Sequence, residues 1–480
     1  MRNFNLLNYF GKTTSVFLFL IAFVGICLAA DEYSATNSGE HAISHSSGSY
    51  SYENITVEKT GDVSGSNDNY DWQGTNAAIL ASGGANIIIS GSSTKINSEA
   101  TYGNAVFAYG GNLNGSGSGD GTTITISDAT ITTSKHNSGG IMVTGGGIIN
   151  ASNLTITTSA GSSAAIRSDK GGGTITVSGG TYTTTGQGSP AIYSTANITV
   201  SDADLKSNIA QAVVIEGGNS VTLNDTNIDA THNTKNGQDS TYQAILIYQS
   251  MSGDASDGSS SFTMDSGSIE NANGDIFCVT NTTCTISLTD VEITNNDSSG
   301  NFLRAEAQNW GTSGSNGGNV TLNASGQNIS GNIIVDSSSS LTLNLTNSST
   351  YSGAINPDSS SSSSTGISSQ SGTVNVVIGS GCTLTLTGNS YVSSLTNNGS
   401  INYGSYSINV NNTTYNASNP YSGNTDNTTD NTTDDTTNNN TENKNTVGNP
   451  ISSGGSSGCN AGFLGATALI LVNALIFKRK

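Results

Sequence analysis

The densest group of ionisable side chains in the body of the sequence is Arg167, Asp169 and Lys170, which follow the apolar pair Ala165-Ile166. A base beside a Ca²⁺ held by carboxylates could cleave an acidic polysaccharide by removing an α-proton. Two carboxylates flanking a sugar bond could hydrolyse it instead. Such a short charged run is more often a solvated surface, so the sequence favours a protein with no catalytic residue and no cofactor.

The candidate metal ligands do not converge along the sequence. His41 and His45 are four residues apart, but no third ligand lies near them, and zinc needs three or four ligands. We therefore expect both histidines to be exposed, and we predict no metal site. The acidic composition allows only a weak association of Ca²⁺.

Cysteine spacing leaves two interpretations open. Cys278 and Cys284 are six positions apart, and in an exported protein they could form a disulfide between one rung of a repeat and the next. They could equally be two small buried apolar residues. Cys382 has no partner in this scheme, and we expect it to be buried.

Composition excludes several classes of protein. Of 480 residues, 14 are Lys or Arg and 34 are Asp or Glu, so the net charge is −20. A helical protein would carry many more Glu, Lys, Arg and Leu residues. No basic cluster in the body could bind nucleic acid. The 59 glycines and the many Ser, Thr and Asn residues indicate short strands joined by turns.

A repeated unit must position these side chains. Its first half is a pair of alternating aliphatic residues, a polar turn and a third apolar residue, and it alternates as a strand with one buried face does. Clear copies of the pair are Ile124-Thr-Ile126, Ile175-Thr-Val177, Ile198-Thr-Val200 and Val221-Thr-Leu223. The second aliphatic place recurs at Ile126, Ile149, Val177, Val200, Leu223, Met264, Leu288, Leu322 and Leu343, which indicates a base period near 23 residues. The turn often carries Asp, whose side chain satisfies local backbone groups; the instances are Asp128, Asp202, Asp225 and Asp290.

The second half of the unit predicts a third strand after a variable loop. Its mark is Ala followed by Ile or Val, before a Gly-rich turn. The copies are Ala78-Ile79, Ala105-Val106, Ala165-Ile166, Ala191-Ile192, Ala212-Val213 and Ala244-Ile245. Three strands in each unit predict an all-β solenoid over residues 51–410. An array of β-sandwiches is the competing fold, but one period runs through many units without a domain boundary.

This period and these turns resemble the right-handed parallel β-helix of the pectin-lyase-like superfamily. The resemblance implies a fold and no particular activity, because such repeats are degenerate and one fold hosts many functions. Enzymes of that fold degrade acidic polysaccharides, so the resemblance keeps a polysaccharide lyase or hydrolase as an alternative.

The loops between second and third strands would stack along one edge of such a solenoid. This edge carries several basic side chains in a chain that has few of them. They are Lys135, His136, Lys206, His232 and Lys235. We hypothesise that they form a ligand-binding edge, for instance for a glycan. The other interpretation is that insertions collect at a turn that tolerates them.

The amino terminus predicts export. Basic Arg2 and Lys12 precede an apolar run, Val16 to Ile26, and small residues follow it. This is the pattern of a secretory signal peptide over residues 1–30, removed by signal peptidase after Ala29 or Ala30. Residues 31–50 would then form an N-terminal segment of the mature protein.

The carboxyl terminus predicts a stalk and a tail. Residues 411–457 are rich in Ser, Thr, Asn and Asp and almost lack aliphatic side chains, so we expect a disordered linker. Residues 458–480 form an apolar stretch that ends in Lys478-Arg479-Lys480. The apolar part is just long enough to span a bilayer as a helix.

This tail, with its Ser/Gly-rich approach and the core Gly458-Cys459-Asn460-Ala461-Gly462, resembles the Synerg-CTERM sorting domain, a relative of GlyGly-CTERM. The resemblance implies a diderm bacterium and a rhomboid-type sorting protease, with Gly458 or Cys459 at the processed or modified site. Asn473 inside the apolar stretch departs from the pattern. The alternative is an uncleaved membrane anchor. Both place the solenoid at the cell surface, at the outer membrane or outside the cell.

Three functions are compatible with these features. The sequence favours an adhesin-like, surface-displayed protein that binds a glycan or a host or matrix ligand without catalysis. The alternatives are a polysaccharide lyase or hydrolase and a structural component of a surface layer.

Overall fold

A computed structural model describes residues 30–114, 118–357 and 372–422. In these ranges the chain is an all-β parallel β-helix solenoid with three strands per rung, which confirms the predicted fold class. The signal peptide, most of the linker and the tail with Gly458 and Cys459 lie outside the described residues. No helix in the described part of the chain has the length and apolar character needed to cross a membrane.

Nearly all described strands pair in parallel with the strand one rung away. The largest sheet has 19 strands, which are Glu32–Ala35, Ser49–Glu53, Thr56–Lys59, Asn86–Ser90, Lys95–Ser98, Thr123–Ser127, Thr130–Thr133, Gly147–Thr158, Gly173–Thr184, Asn197–Ser201, Asp204–Ser207, Ser220–Ala230, Ser259–Asn271, Thr282–Thr289, Glu292–Asn295, Gly318–Ser325, Ser340–Thr346, Thr373–Ile378 and Ser394–Asn397. The second sheet has 11 strands, which are Ile43–His45, Ile79–Ala81, Val106–Tyr109, Ile141–Thr144, Ile166–Ser168, Ile192–Ser194, Val213–Glu216, Gln243–Tyr248, Asp275–Thr280, Leu303–Ala305 and Ile333–Val335. A four-stranded sheet contains Asn328–Ser330, Thr350–Gly353, Thr383–Leu386 and Ser400–Asn402, and a three-stranded sheet contains Ser390–Val392, Ile408–Val410 and Thr413–Tyr415. The one helix among the described residues is Asp68–Trp72.

The solenoid has three faces. The 19-stranded sheet bends at a corner, so it supplies the first face, which includes Thr123–Ser127 and Asn197–Ser201, and the second face, which includes Thr130–Thr133 and Asp204–Ser207. The four-stranded sheet follows the second face towards the carboxyl end. The 11-stranded sheet is the third face, and it contains the predicted Ala-Ile and Ala-Val strands.

Residues with left-handed backbone form the corner between the first and second faces. The predicted turn aspartates have φ values of +56° at Asp128, +55° at Asp202, +43° at Asp225 and +50° at Asp290. Asp and Asn tolerate this conformation better than other residues with a side chain, because they bond to local backbone groups. Asn153 takes the same place in the rung after Asp128, and its Nδ2 donates to Asp128 Oδ1 at 3.2 Å. The chemistry of the turn therefore accounts for the repetition of Asp.

The register corrects part of the predicted repeat. Ile149 pairs with Ile124 and so occupies the first aliphatic place of its strand, while Ala151 takes the second place. In the same way Leu322 pairs with Ile286, and Ala324 takes the second place. Alanine is too small to be recognised as an aliphatic residue of the repeat. The sequence pattern therefore predicted Ile149 and Leu322 in the second aliphatic place, whereas they occupy the first.

The solenoid extends beyond both predicted boundaries of the repeat domain. Glu32–Ala35 already pairs with Thr56–Lys59, although residues 31–50 were expected to form a separate segment. At the other end Thr413–Tyr415 folds back antiparallel on Ile408–Val410, inside the predicted linker. Tyr415 and Tyr421 pack edge to face there, 5.0 Å apart, and cover the end of the core.

One continuous apolar core runs through the described rungs, from Ile43 to Ile408. Inward side chains stack on their equivalents one rung away, and Phe262, Phe277 and Phe302 form an edge-to-face series with ring centroids 5.5 and 5.6 Å apart. Such stacked burial stabilises a solenoid through contacts between neighbouring units.

Candidate functional site on the third face

Several strands of the third face are buried on both sides. Every residue of Ile141–Thr144, Gln243–Tyr248 and Asp275–Thr280 is buried, although alternate side chains must point away from the core. Two segments outside the rungs cover the outward side. We call residues 67–77 the N-terminal cover and residues 306–317 the C-terminal cover.

The N-terminal cover packs on outward apolar side chains. Leu80, Phe107 and Met142 form a cluster with Ala77, separate from the main core. Gly74 has φ +64°, and a β-carbon there would lie 2.7 Å from the ring of Phe107, so glycine is required on both grounds.

Polar contacts fix the helix of this cover. The N-cap residue Asn67 accepts from Asn69 N at 3.0 Å. Thr144 Oγ1, on a third-face strand, donates to the carbonyl of Trp72 at 2.6 Å. Lys170 Nζ lies 4.1 Å from the centroid of the Trp72 ring, which is a cation–π contact.

The C-terminal cover packs on a second outward cluster. The Trp310 ring lies 4.7 Å from the ring of Tyr248, in a group that includes Val214, Leu246 and Cys278. Asn316 Nδ2 donates to the carbonyl of Trp310 at 2.7 Å, which holds the turn.

Arg167 joins the third face to the N-terminal cover. Its Nη2 lies 3.2 Å from Asp71 Oδ1 on the helix and 3.0 Å from Asp169 Oδ2 two residues along. Asp169 Oδ1 also accepts from the backbone amide of Lys170 at 2.9 Å. Burial raises the pKa of Asp169 to about 7; Arg167 opposes this rise, while the charges of Asp254 and Asp71 add to it.

Glu216, at the end of the third-face strand Val213–Glu216, accepts hydrogen bonds from a cluster of hydroxyl groups. Its carboxylate accepts from Tyr248 Oη at 2.8 Å and also from Tyr193 Oη and Ser250 Oγ. Burial and then the charge of Glu216 raise the pKa of both tyrosines well above the ordinary value. The cluster is a set of hydrogen-bond donors that satisfies one buried charge.

Arg304, which is half-buried, forms a second ion cluster with two buried carboxylates. Its Nε lies 2.5 Å from Asp275 Oδ2, and its Nη1 lies 3.3 Å from Glu306 Oε2 in the C-terminal cover. Burial raises the pKa of Glu306, and Arg304 opposes this rise. Arg304 therefore links Asp275 of the neighbouring third-face strand to Glu306, the first residue of the C-terminal cover.

An open cleft of about 410 Å³ lies beside the Arg167 cluster, where turns lead from the third to the first face. Its lining comes from turns of several rungs and consists mostly of small and polar residues. It includes Lys170, Gly172, Thr195, Asn197, Asn219 and Asp254. Thr195 Oγ1 donates to the carbonyl of Asp169 at 2.9 Å, so the cleft and the buried acid are adjacent.

The structure disperses the predicted ligand edge. Lys135 and His136 are exposed in one loop between second and third strands. Lys206 stands on the second face, where it forms an exposed ion pair with Asp229.

The other two residues of that edge lie in the loop 231–242. His232 is fully buried, with its Nδ1 accepting from Gln243 N at 3.1 Å, and burial lowers its pKa to about 4. Lys235 Nζ donates to the carbonyl of Ser240 and lies 4.8 Å from the Tyr242 ring centroid. The structure thus does not bring these five side chains together.

The possible disulfide is not formed. Cys278, Cys284 and Cys382 are free and buried. Cys278 points outward from the third face under the C-terminal cover, where Gln308 Nε2 lies 3.2 Å from its Sγ, whereas Cys284 points into the main core. The two thiols lie on opposite sides of the wall, which explains why their close spacing does not pair them.

The two early histidines have partners within the first rungs. His41 Nδ1 lies 2.7 Å from the carbonyl of Ala77, and His45 Nε2 lies 2.6 Å from Tyr52 Oη. Both are half-buried, whereas the sequence predicted exposure. Within the described ranges, no three side chains of His, Cys, Asp or Glu converge as metal ligands would.

Sequence reasoning missed the acidic partners and the covers, namely Asp71, Trp72, Glu216, Asp275, Glu306 and Trp310. One feature of the sequence could have indicated that the third face is covered. Ala244 to Ile247 and Ile276 to Val279 are continuous apolar runs, and such runs indicate strands buried on both sides.

No family model, no curated protein and no solved structure matches this chain.

Proposed function

We propose that this chain is an exported, surface-displayed β-helix that binds a neutral glycan without cleaving it, in an adhesin-like or matrix-binding role. The observation that carries the proposal is the open cleft beside the third face. It is long enough to touch turns of several rungs, and its polar groups suit an extended, hydroxylated polymer.

Charge favours a neutral ligand over an acidic one. The chain carries a net charge of −20, which repels acidic polymers. Within the cleft, Lys170 is offset by Asp254, and the asparagines and glycine turns offer uncharged hydrogen-bonding groups. Hydroxyl groups of a sugar can use donors and acceptors of this kind.

Export and display are supported by the two terminal sequences. On this proposal, the signal-like amino terminus directs export, and the tail that resembles Synerg-CTERM keeps the solenoid outside the cytoplasm. A signal peptidase and a rhomboid-type protease would process the ends, the latter at Gly458 or Cys459. The kinship with pectin-lyase-like proteins is likewise part of the proposal, and the parallel β-helix supports it.

The experiment is a glycan array probed with the purified chain and with an Ala255→Trp variant. Ala255 lines the cleft, so the indole should fill it and weaken binding by about tenfold or more. Ala417→Trp is the matched control, because Ala417 is exposed far along the chain. A loss of binding in a Lys135→Ala, Lys206→Ala, Lys235→Ala variant, with Ala255→Trp unaffected, would move the site to the predicted edge. No binding by the unmodified chain would favour a structural surface-layer role.

One observation favours a second candidate function, cleavage of a polysaccharide. A carboxyl group with a pKa of about 7, such as that of Asp169, can act as a general acid near neutral pH. The charge of Asp254 acts on it from the cleft. Polymer cleavage by the chain that is abolished by Asp169→Asn would establish this function in place of simple binding.

A further inference from the structure

The loop of residues 231–242, which we call the latch loop, lies beside the C-terminal cover and is tied to it by side-chain amides. Asn309 Nδ2 donates to the carbonyl of Gln238 at 3.1 Å, and Gln308 Nε2 donates to Thr241 Oγ1 at 3.1 Å. Both amides belong to the cover, and both acceptors belong to the loop. The position of the cover therefore depends on that of the latch loop.

A buried imidazole closes the base of the latch loop. His232 Nδ1 accepts from the backbone N–H of Gln243 at 3.1 Å, so this bond joins the two ends of the loop, 11 positions apart. The side chain of His232 has no exposed surface. Because Nδ1 is the acceptor in this bond, the ring proton is on Nε2 and the imidazole is neutral.

The surroundings of His232 offer little compensation for a positive charge. Its Nε2 has no hydrogen-bond partner among the described residues, and Asp239 Oδ2 lies 3.7 Å away. That oxygen already accepts from the backbone amide of Asn236 at 3.1 Å. The other charged group that acts on the ring is Lys235, which is also in the loop. The side chains that donate to the latch loop from neighbouring elements are neutral amides, namely Gln187, Gln211, Asn273, Gln308 and Asn309.

A second ring proton would break the bond at the base of the loop, because it would add to Nδ1 and face the N–H of Gln243. Burial lowers the pKa of His232 to about 4; hydrogen bonding with the backbone of Gln243 and Thr234 opposes this fall, while the charge of Lys235 adds to it. In an opened loop the imidazole would titrate at its ordinary pKa of 6.5. The opened loop thus binds a proton that the closed loop excludes, and acid favours opening as the pH falls from 6.5 towards 4.

We propose that protonation of His232 releases the latch loop and that the C-terminal cover opens with it. This acid-driven switch goes beyond the proposed glycan binding, and it does not depend on it. The latch loop leads from the second face to the third, whereas the cleft lies where turns lead from the third face to the first. Opening uncovers the outward cluster that contains Leu246 and Cys278, while the rungs stay paired.

The test is hydrogen exchange of the whole chain, followed by mass spectrometry at about pH 7.5 and about pH 4.5, on either side of the range in which opening is favoured. The rates are corrected for the effect of pH on chemical exchange. His232→Asn is the test variant, because Asn Oδ1 can accept from Gln243 N as Nδ1 does but does not titrate. His136→Asn is the matched control, since His136 is exposed in another loop.

In the original chain and in His136→Asn, we expect the protection of residues 231–242 and 306–317 to fall by about tenfold or more on acidification. The protection of both segments should hold in His232→Asn. Burial raises the pKa of Asp239, and this group therefore favours the closed loop in acid. Asp239 is present in all three chains, so the comparison isolates His232.

An equal fall in His232→Asn, or no fall in the original chain, would overturn the proposal. A fall confined to residues 231–242 would overturn the link between the loop and the cover. If His232→Asn is unprotected in the loop even at neutral pH, titration of His232 in the original chain by NMR decides the question. A midpoint near 4 with the proton on Nε2 would support the switch, and a midpoint near 6.5 in a chain whose loop stays protected would overturn it.

Discussion

Asp169 shows how a single residue on the third face combines structural and chemical roles. It is buried, it bonds to Arg167, and two further carboxylates, Asp71 and Asp254, act on its charge. Burial of Asp169 raises its pKa, the charges of Asp254 and Asp71 add to this rise and Arg167 opposes it, so the proton is retained to higher pH than usual. The charge of Asp169 therefore changes near neutral pH, within the ion pairs that tie the N-terminal cover to the third face.

The pKa of Asp169 predicts a pH dependence of stability. It is 3.8 for an unperturbed group and about 7 in the folded chain. Between these values the folded state binds a proton that the unfolded state lacks, so this group lowers the free energy of unfolding as the pH rises from about 4 to 7. Asp169→Asn removes this effect. The stability of the variant relative to the original chain should therefore grow over that range, by no more than about 4 kcal/mol, and then remain constant.

Thermal unfolding midpoints of both chains at a series of pH values measure this difference. Asp265→Asn is the control, because Asp265 is an exposed carboxyl on the first face. A difference between Asp169→Asn and the original chain that does not change with pH would contradict the prediction.

Sequence alone identified some of these residues but not their partners. Arg167, Asp169 and Lys170 were recognised because they are adjacent in the chain. Asp71 joins them from a position 96 residues earlier, and no period of the repeat relates the two. Lys206 and His232 looked alike as basic loop residues, yet one is paired on a face and the other is buried, because local geometry decides burial.

The two covers are the elements that distinguish the third face from the other two. Each lies outside the repeat, each carries one tryptophan, and each forms an ion pair with an arginine of a third-face strand, buried Arg167 or half-buried Arg304. They rest on small apolar clusters, which include Phe107 and Met142 under the N-terminal cover and Leu246 and Cys278 under the C-terminal cover. Such elements should open locally without unfolding the solenoid.

The thiol of Cys278 reports on the C-terminal cover. It is fully buried, and burial raises its pKa well above the ordinary value, so it should resist alkylation in the folded chain. Trp310→Ala removes the ring that packs on this cluster. We expect alkylation of Cys278, mapped by mass spectrometry, to become about tenfold faster or more.

Trp72→Ala is the matched control, because it loosens the other cover by the same loss of a ring. Cys278 should stay protected in that variant. Equal protection of Cys278 in both variants would show that Trp310 does not hold the cover, and equal exposure would show that the two covers open together.

At the level of elements, alternation in the sequence predicted the strands well. Ile198 and Val200 point inward with Thr199 outward, as the pattern indicates. The covers could not be predicted in this way, because Asp68–Trp72 and residues 306–317 occur once each and follow no period. Their position depends on Gly74 and on side chains contributed by distant rungs.

At the scale of the whole molecule, the segment that folds back at the carboxyl end covers the edge of the last parallel strand. Parallel rungs leave an unpaired strand at each end of a solenoid, and an unpaired strand is a template for association. Thr413–Tyr415 covers the strand Ile408–Val410 in antiparallel direction, and Tyr421 Oη donates to the carbonyl of Leu395 at 2.5 Å. This segment acts as a cap although its composition is that of a linker.

Truncation tests the cap. A chain that ends at Val410 exposes the edge of Ile408–Val410 and the apolar end of the core, whereas a chain that ends at Ser422 keeps both covered. We expect the shorter chain to form dimers or larger species and the longer one to remain monomeric in size-exclusion chromatography with light scattering. Monomers of both chains would show that the antiparallel strand is dispensable for this purpose.

The antiparallel cap also has a consequence for how the length of such a protein can evolve. Because the described rungs pair with their neighbours in one register, duplication of a gene segment that encodes one rung would add about 4.8 Å to the solenoid and leave both ends unchanged. Loss of a rung would shorten it by the same step. The length of the solenoid is thus inherited as a whole number of rungs, and it can change without any alteration of the end that stops the stack.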